Sequence, residues 1–146
     1  MRVLLRRLDG NDLPAPARAT PGSSGVDLRA CIGEPVELEP GERRLIPTGL
    51  SLALPRGYEA QVRPRSGLAL ETGLTMLNTP GTIDADYRGE IGVIAVNLGD
   101  APVTIRRGDR IAQMVVQSLP EIDLIEVEEL PGSPRGEGGF GSTGVG

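Results

Sequence analysis

Residues 90–98 read Glu-Ile-Gly-Val-Ile-Ala-Val-Asn-Leu, a run that is apolar almost throughout and too short for a core helix. Its β-branched Val93, Ile94 and Val96 and its lack of alternation point to a strand, Glu90 to Leu98, covered on both faces. Asn97-Leu98-Gly99-Asp100 closes it with turn chemistry. Outward from this run, short apolar stretches recur between Gly, Pro and Asn. Toward the C-terminus the candidate strands are Val103 to Ile105, Arg110 to Leu119 and Ile122 to Glu128. Toward the N-terminus they are Leu74 to Leu77, Tyr58 to Arg63, Leu50 to Leu54, Arg43 to Ile46, Pro35 to Leu38, Val26 to Ile32 and Arg2 to Leu8. Alternation is clean in Leu50, Leu52, Leu54 and in Tyr58, Ala60, Val62, as in strands with one wet face. Only Ser66 to Glu71 suggests a short helical turn. The expected class is all-β, a sandwich or closed β-domain with an internal subunit contact.

The composition removes whole classes of chemistry. The 146 residues contain no His, Lys or Trp, so all 15 basic side chains are Arg, against 20 Asp and Glu for a net charge of -5. Without His there is no Ser-His-Asp or Cys-His couple and no His-ligated zinc; without Lys there is no Schiff base and no Walker-type phosphate loop. A general base must then be sought among Asp and Glu. The single Cys31 cannot form an intrachain disulfide, which suits a reducing compartment, and its place in the run Leu28 to Ile32 reads as a small core hydrophobe. The N-terminus lacks the apolar stretch of a signal peptide, and no run approaches the roughly 18 apolar residues of a membrane span, so a cytoplasmic location is expected. No basic block exceeds the pairs Arg6-Arg7, Arg43-Arg44 and Arg106-Arg107, which argues against nucleic acid or an anionic membrane as partner.

Residues 1–130 are expected to form the folded domain and residues 131–146 an arm. In Pro-Gly-Ser-Pro-Arg-Gly-Glu-Gly-Gly-Phe-Gly-Ser-Thr-Gly-Val-Gly, seven of 16 residues are Gly, too little apolar surface to offset the entropy of ordering. The chain's only Phe, Phe140, stands there beside Arg135, Ser142 and Thr143, a set suited to closing over a ligand that has both a flat base and phosphates. Pro64-Arg65-Ser66-Gly67-Leu68-Ala69 offers a guanidinium, a hydroxyl and free amides after a strand. Asn78-Thr79-Pro80-Gly81-Thr82-Ile83-Asp84-Ala85-Asp86-Tyr87-Arg88-Gly89 sets an amide, two carboxylates and a Tyr between strands, and Arg107-Gly108-Asp109-Arg110-Ile111-Ala112-Gln113 runs from a charged turn into a strand that Gln113 interrupts. Each alone reads more readily as turn or loop chemistry than as a site.

Together with Gly25-Val26-Asp27-Leu28-Arg29-Ala30, these segments in this order closely resemble the five motifs of the trimeric dUTP pyrophosphatase (dUTPase) family, over essentially the whole chain. Two departures are minor: Ser24 stands where the family often has Ala, and Val145 and Gly146 follow the last motif. The resemblance implies a distorted jelly-roll subunit of the β-clip kind, in a homotrimer whose sites are shared between chains and closed by the arm. It implies Mg²⁺-dependent hydrolysis of dUTP to dUMP and pyrophosphate, which limits uracil incorporation into DNA and supplies dUMP for dTMP synthesis. By the same resemblance Asp84 is the base that activates water, and Asp27 holds the metal through its waters. Arg65, Ser66, Gly67 and Gln113 contact the phosphates. Asn78 and the hairpin around Ile83 read uracil, and Tyr87 excludes a ribose hydroxyl. Phe140 stacks on the base, while Arg135, Gly141, Ser142 and Thr143 complete the lid. Asp86 is read as a surface residue. A dCTP deaminase-like enzyme and a non-catalytic nucleotide-binding regulator share this scaffold as alternatives.

Overall fold

A computed structural model describes residues 1–139. Among them the elements run β1 (Leu4–Arg7), β2 (Val26–Arg29), β3 (Val36–Leu38), β4 (Arg43–Pro47), β5 (Leu50–Ala53), β6 (Tyr58–Arg63), α1 (Ser66–Thr72), β7 (Leu74–Met76), β8 (Gly81–Ile83), β9 (Gly92–Asn97), β10 (Val103–Ile105) and β11 (Arg110–Ser118). The chain is all-β apart from one short helix. A four-stranded sheet has the order β2-β11-β6-β8, a three-stranded sheet β4-β9-β7, and two ribbons pair β1 with β5 and β10 with β3. All pairs are antiparallel.

The deciding run is the centre of the three-stranded sheet: β9 pairs with β4 on one edge and β7 on the other, and Val93, Ala95, Val96 and Asn97 are buried. Asn97 is fully buried, yet its side chain is fully used. Nδ2 donates to Leu38 O at 2.9 Å and Ala101 O at 2.8 Å, and Oδ1 accepts from Gly99 N–H at 2.9 Å, so the turn is tied to the core rather than floating beside it. The described residues include no Phe or Trp, and their core is aliphatic: Leu28, Leu38, Ile46, Val93 and Ile105 are at most 1% exposed. Each such side chain contributes roughly 1.5–3 kcal/mol by leaving water.

The structure departs from expectation in four places. Residues Ile122 to Glu128 form no strand: Ile122, Leu124, Ile125 and Val127 are 54–93% exposed, and among the described residues no strand lies alongside to accept their backbone bonds. Conversely, Gly81–Ile83 inside the expected loop is a strand, since pairing with β6 (Ala60 opposite Ile83) imposes extension on a segment too short to show a period. The strand begun at Val26 ends at Arg29, after which Ala30 N–H donates to Asp109 O at 2.9 Å and Cys31 N–H to Pro47 O at 2.8 Å, bridging two other elements. Cys31 is half-buried, not buried, with Sγ 3.6 Å from Arg107 Nη1. The helical turn runs to Thr72 and stops at Gly73, whose φ of 74° and N–H bond to Ala69 O at 3.0 Å form a left-handed cap. A Cβ there would also collide with the backbone of Gly99.

Candidate functional site

One cleft, of about 420 Å³, lies where β2, β11 and the start of α1 meet. Asp27, Arg65, Ser66, Gly67 and Gln113 all line it, so five residues from three distant segments of sequence converge. Sheet register accounts for the convergence. Gln113 stands directly opposite both Asp27 on β2 and Arg63 on β6, and cross-strand partners share a face. Gln113 Nε2 donates to Pro64 O at 3.0 Å, which ties the strand to the turn that presents Arg65. Arg65 precedes the first helical turn with φ -97° and ψ 125°, and the amides that open a helix have no intrahelical acceptor. Gly25 has to be small: a Cβ on it would come within 3.0 Å of Gln113 Oε1 and 3.2 Å of Met114 O.

Charge in the cleft is organised around Asp27. Arg65 Nε lies 3.0 Å from Oδ1 and Arg110 Nη1 lies 3.1 Å from Oδ2, with the Asp27 side chain 23% exposed. Arg110 escaped the sequence reading, because a residue three positions from Gln113 should face the other side of a regular strand. The register between β11 and β2 shifts between Arg110 and Ala112, and this bulge brings Arg110 to the cleft. Ser23 and Ser24 also line it, from a loop with no motif to mark it.

The hairpin residues sit elsewhere. Asn78, Ile83 and Tyr87 line a second, smaller cleft of about 140 Å³ together with Val62 and Gly81. Val62 and Gly81 face away from Gln113, but Thr82, which also lines this cleft, opposes Gln61 on the Gln113 face, so the second cleft lies about β8, at the other edge of the four-stranded sheet from β2. The Tyr87 hydroxyl donates to Glu90 O at 2.9 Å, and the ring lies over Gly89, where a Cβ would meet it. Asp84 is exposed just past the end of β8, and its carbonyl accepts the Tyr87 N–H at 3.2 Å to close a turn. Asp86 is exposed within that turn. Arg135 is exposed and donates to Gly138 O at 2.7 Å, outside both clefts. Phe140, Gly141, Ser142 and Thr143 lie outside the described residues.

No group of three or more His, Cys, Asp or Glu that could hold a metal occurs among the described residues. The cleft's lone carboxylate therefore fits a cation that arrives with its own oxygen ligands, as magnesium on phosphates does, rather than one caged by protein. The shifted titrations lie elsewhere: the Arg107 guanidinium, 2.6 Å from Asp12, holds that exposed carboxyl below its usual range, and Asp12 in turn raises Arg107. No helix among the described residues is long and apolar enough to cross a membrane.

The dUTPase family model matches residues 11–144. The deoxyuridine 5'-triphosphate nucleotidohydrolase of Caulobacter vibrioides is 55% identical, over 99% of this chain and 96% of its own. That of Caldanaerobacter subterraneus subsp. tengcongensis is 56% identical, over 96% of this chain and 95% of its own. Among solved structures, a dUTPase of Staphylococcus bacteriophage 80alpha with dUpNHpp superposes at TM-score 0.88 and 30% identity, covering 99% of each chain. A variant dUTPase from phage phi11 of S. aureus, described with a structural Mg(II) ion, is similar at TM-score 0.80 and 25% identity, over 90% of this chain and 100% of that one. With a family match over residues 11–144, relatives more than half identical over nearly their whole length and a shared jelly-roll fold, the chain belongs to the dUTPase family.

Proposed function

We propose that this chain hydrolyses dUTP to dUMP and pyrophosphate by attack of water on the α-phosphorus. The observation that carries the reading is the first cleft: two arginines, a hydroxyl, an amide side chain and the open start of a helix surround one carboxylate, a donor-rich set suited to a phosphate chain. Arg65, Ser66, Gly67 and Gln113 bind and orient the phosphates. Asp27 would hold, through water, a Mg²⁺ that comes with the triphosphate. When bound, that ion neutralises charge on the leaving pyrophosphate. Asp84 orients water and takes its proton. Asn78 and the backbone about Ile83 read uracil, and Tyr87 packs against the sugar.

The division of these residues between two clefts toward opposite edges of one sheet supports a homotrimer in which one chain's hairpin meets a neighbour's phosphate cleft. Ile122, Leu124, Ile125 and Val127, exposed and in no strand pairing among the described residues, support further contact between copies. Residues 131–146 form a separate arm that closes over the site, with Phe140 on the base and Arg135, Gly141, Ser142 and Thr143 at the terminal phosphate. The protein acts in the cytoplasm, without nucleic acid or membrane as partner, limiting dUTP and supplying dUMP for dTMP synthesis.

The test is incubation with dUTP, dTTP, dCTP and UTP, each with and without Mg²⁺, following pyrophosphate and ammonia. Pyrophosphate from dUTP alone, dependent on Mg²⁺, is the expected result. Ammonia from dCTP would make the chain a deaminase on the same scaffold, and absence of turnover with tight nucleotide binding would make it a regulator.

A further inference from the structure

Arg110 is the second arginine of the first cleft's donor set, the one that carries no named role on the phosphates. Its position is costly to arrange, because a regular β11 would point it away from Gln113, and the bulge between Arg110 and Ala112 is what turns it toward Asp27. It is then built into a fork. The two oxygens of Asp27 are divided between Arg65 Nε and Arg110 Nη1, and Arg65 Nη1 reaches back to donate to Arg110 O at 3.2 Å. Arg110 remains 46% exposed on the cleft wall, and its contact with Asp27 uses one of the roughly five N–H donors a guanidinium carries.

We propose that Arg110 is a further phosphate-positioning residue, held beside Arg65 as a matched pair by the Asp27 carboxylate. Two guanidiniums this close repel one another, and one carboxylate between them cancels a single charge, so the pair stays together with one positive charge in excess. That excess and the unused N–H groups suit an oxyanion carrying more than one negative oxygen, as the β- and γ-phosphates do. Asp27 thereby acts on the arginines as well as toward the metal's waters. The inference rests on the reading of this cleft as the phosphate site.

The experiment compares the full-length protein with Arg65→Gln, Arg110→Gln and Arg110→Lys. It measures KM and kcat for dUTP, the Kd of inorganic pyrophosphate without divalent cations, and the melting temperature. Loss of a charge-assisted contact should raise KM and the pyrophosphate Kd of Arg110→Gln about 10 to 100-fold, with kcat changed less than about threefold. Arg110→Lys, which keeps the charge but not the fork, should recover part of that loss. Unchanged KM and Kd in Arg110→Gln, with both raised in Arg65→Gln, would overturn the assignment while leaving the phosphate cleft in place. If neither arginine affects pyrophosphate binding, the cleft reading fails and takes the inference with it. If Arg110→Lys binds as weakly as Arg110→Gln and both melt equally early, Arg110 is a structural brace and the assignment is wrong.

Discussion

Asp84 stands one residue beyond β8, where the sheet ends and the turn to Tyr87 begins, so its backbone is fixed while its carboxylate faces outward. A carboxylate so placed can be neutralised without disturbing the core. Asp84→Asn should lower kcat about 10² to 10⁴-fold while the Kd of a non-hydrolysable dUTP analogue changes little; parallel loss of binding would reduce Asp84 to a contact residue. The same change at Asp86, in the turn, should be mild. Tyr87 is pinned by its hydroxyl to Glu90 O and by its ring to Gly89, so its position does not depend on the nucleotide. Tyr87→Ala should therefore narrow the preference for dUTP over UTP, and Gly89→Ala should do the same by displacing the ring. Tyr87→Phe, which keeps the ring, should retain most of the preference. Equal ratios of kcat/KM in all four proteins would place sugar discrimination outside Tyr87.

At the scale of elements, the C-terminal segment is set apart by its bonding. Residues 131–139 are nearly all exposed, and their hydrogen bonds, such as Gly136 N–H to Ser133 O at 3.0 Å and Gly138 N–H to Arg135 O at 3.1 Å, stay within the segment. Nothing there braces the folded domain, so removing residues 135–146 should leave melting temperature and oligomeric state unchanged and abolish most turnover. Aromatic stacking on a base contributes about 1 to 3 kcal/mol, so Phe140→Ala alone should lower kcat/KM roughly 5 to 150-fold. Limited proteolysis offers the complementary measurement, with cleavage in 131–146 slowed by a dUTP analogue and Mg²⁺. Full activity in the truncated chain would return the segment to the status of a frayed end.

At the scale of the whole molecule, the decisive arrangement is that the cleft of Asp27, Arg65 and Gln113 and the cleft of Asn78, Ile83 and Tyr87 lie toward opposite edges of the β2-β11-β6-β8 sheet. If a neighbour's hairpin completes each phosphate cleft, two defective chains can repair one another. Arg65→Gln and Asp84→Asn proteins, each nearly inactive, should regain activity when co-refolded, up to about a quarter of the wild-type rate for random assortment in a closed ring. Activity no greater than the sum of the two parents would mean that each chain carries its whole site.

Much of this molecule is legible in its sequence because it depends on local causes. The apolar run from Ile91 to Asn97 and the alternation at Tyr58 to Val62 respond to burial on two faces and on one face, whereas the alternation at Leu50 to Leu54 gave no sign that Ser51 between them is also buried. Residue types missing from the chain excluded His and Lys chemistry outright, and the ordered motifs marked Asp27, Arg65, Ser66, Gly67 and Gln113, which do share a cleft. Tertiary structure alone decided what depends on partners distant in sequence. The pairing of Gly81–Ile83 with β6, the lack of a mate for Ile122 to Glu128, and the burial of Asn97 beneath Leu38 follow from which strands lie alongside. So does the place of Arg110: a register shift of one residue between β11 and β2 turns its side chain to the opposite face, and a register is a relation between two strands that neither strand's sequence carries by itself.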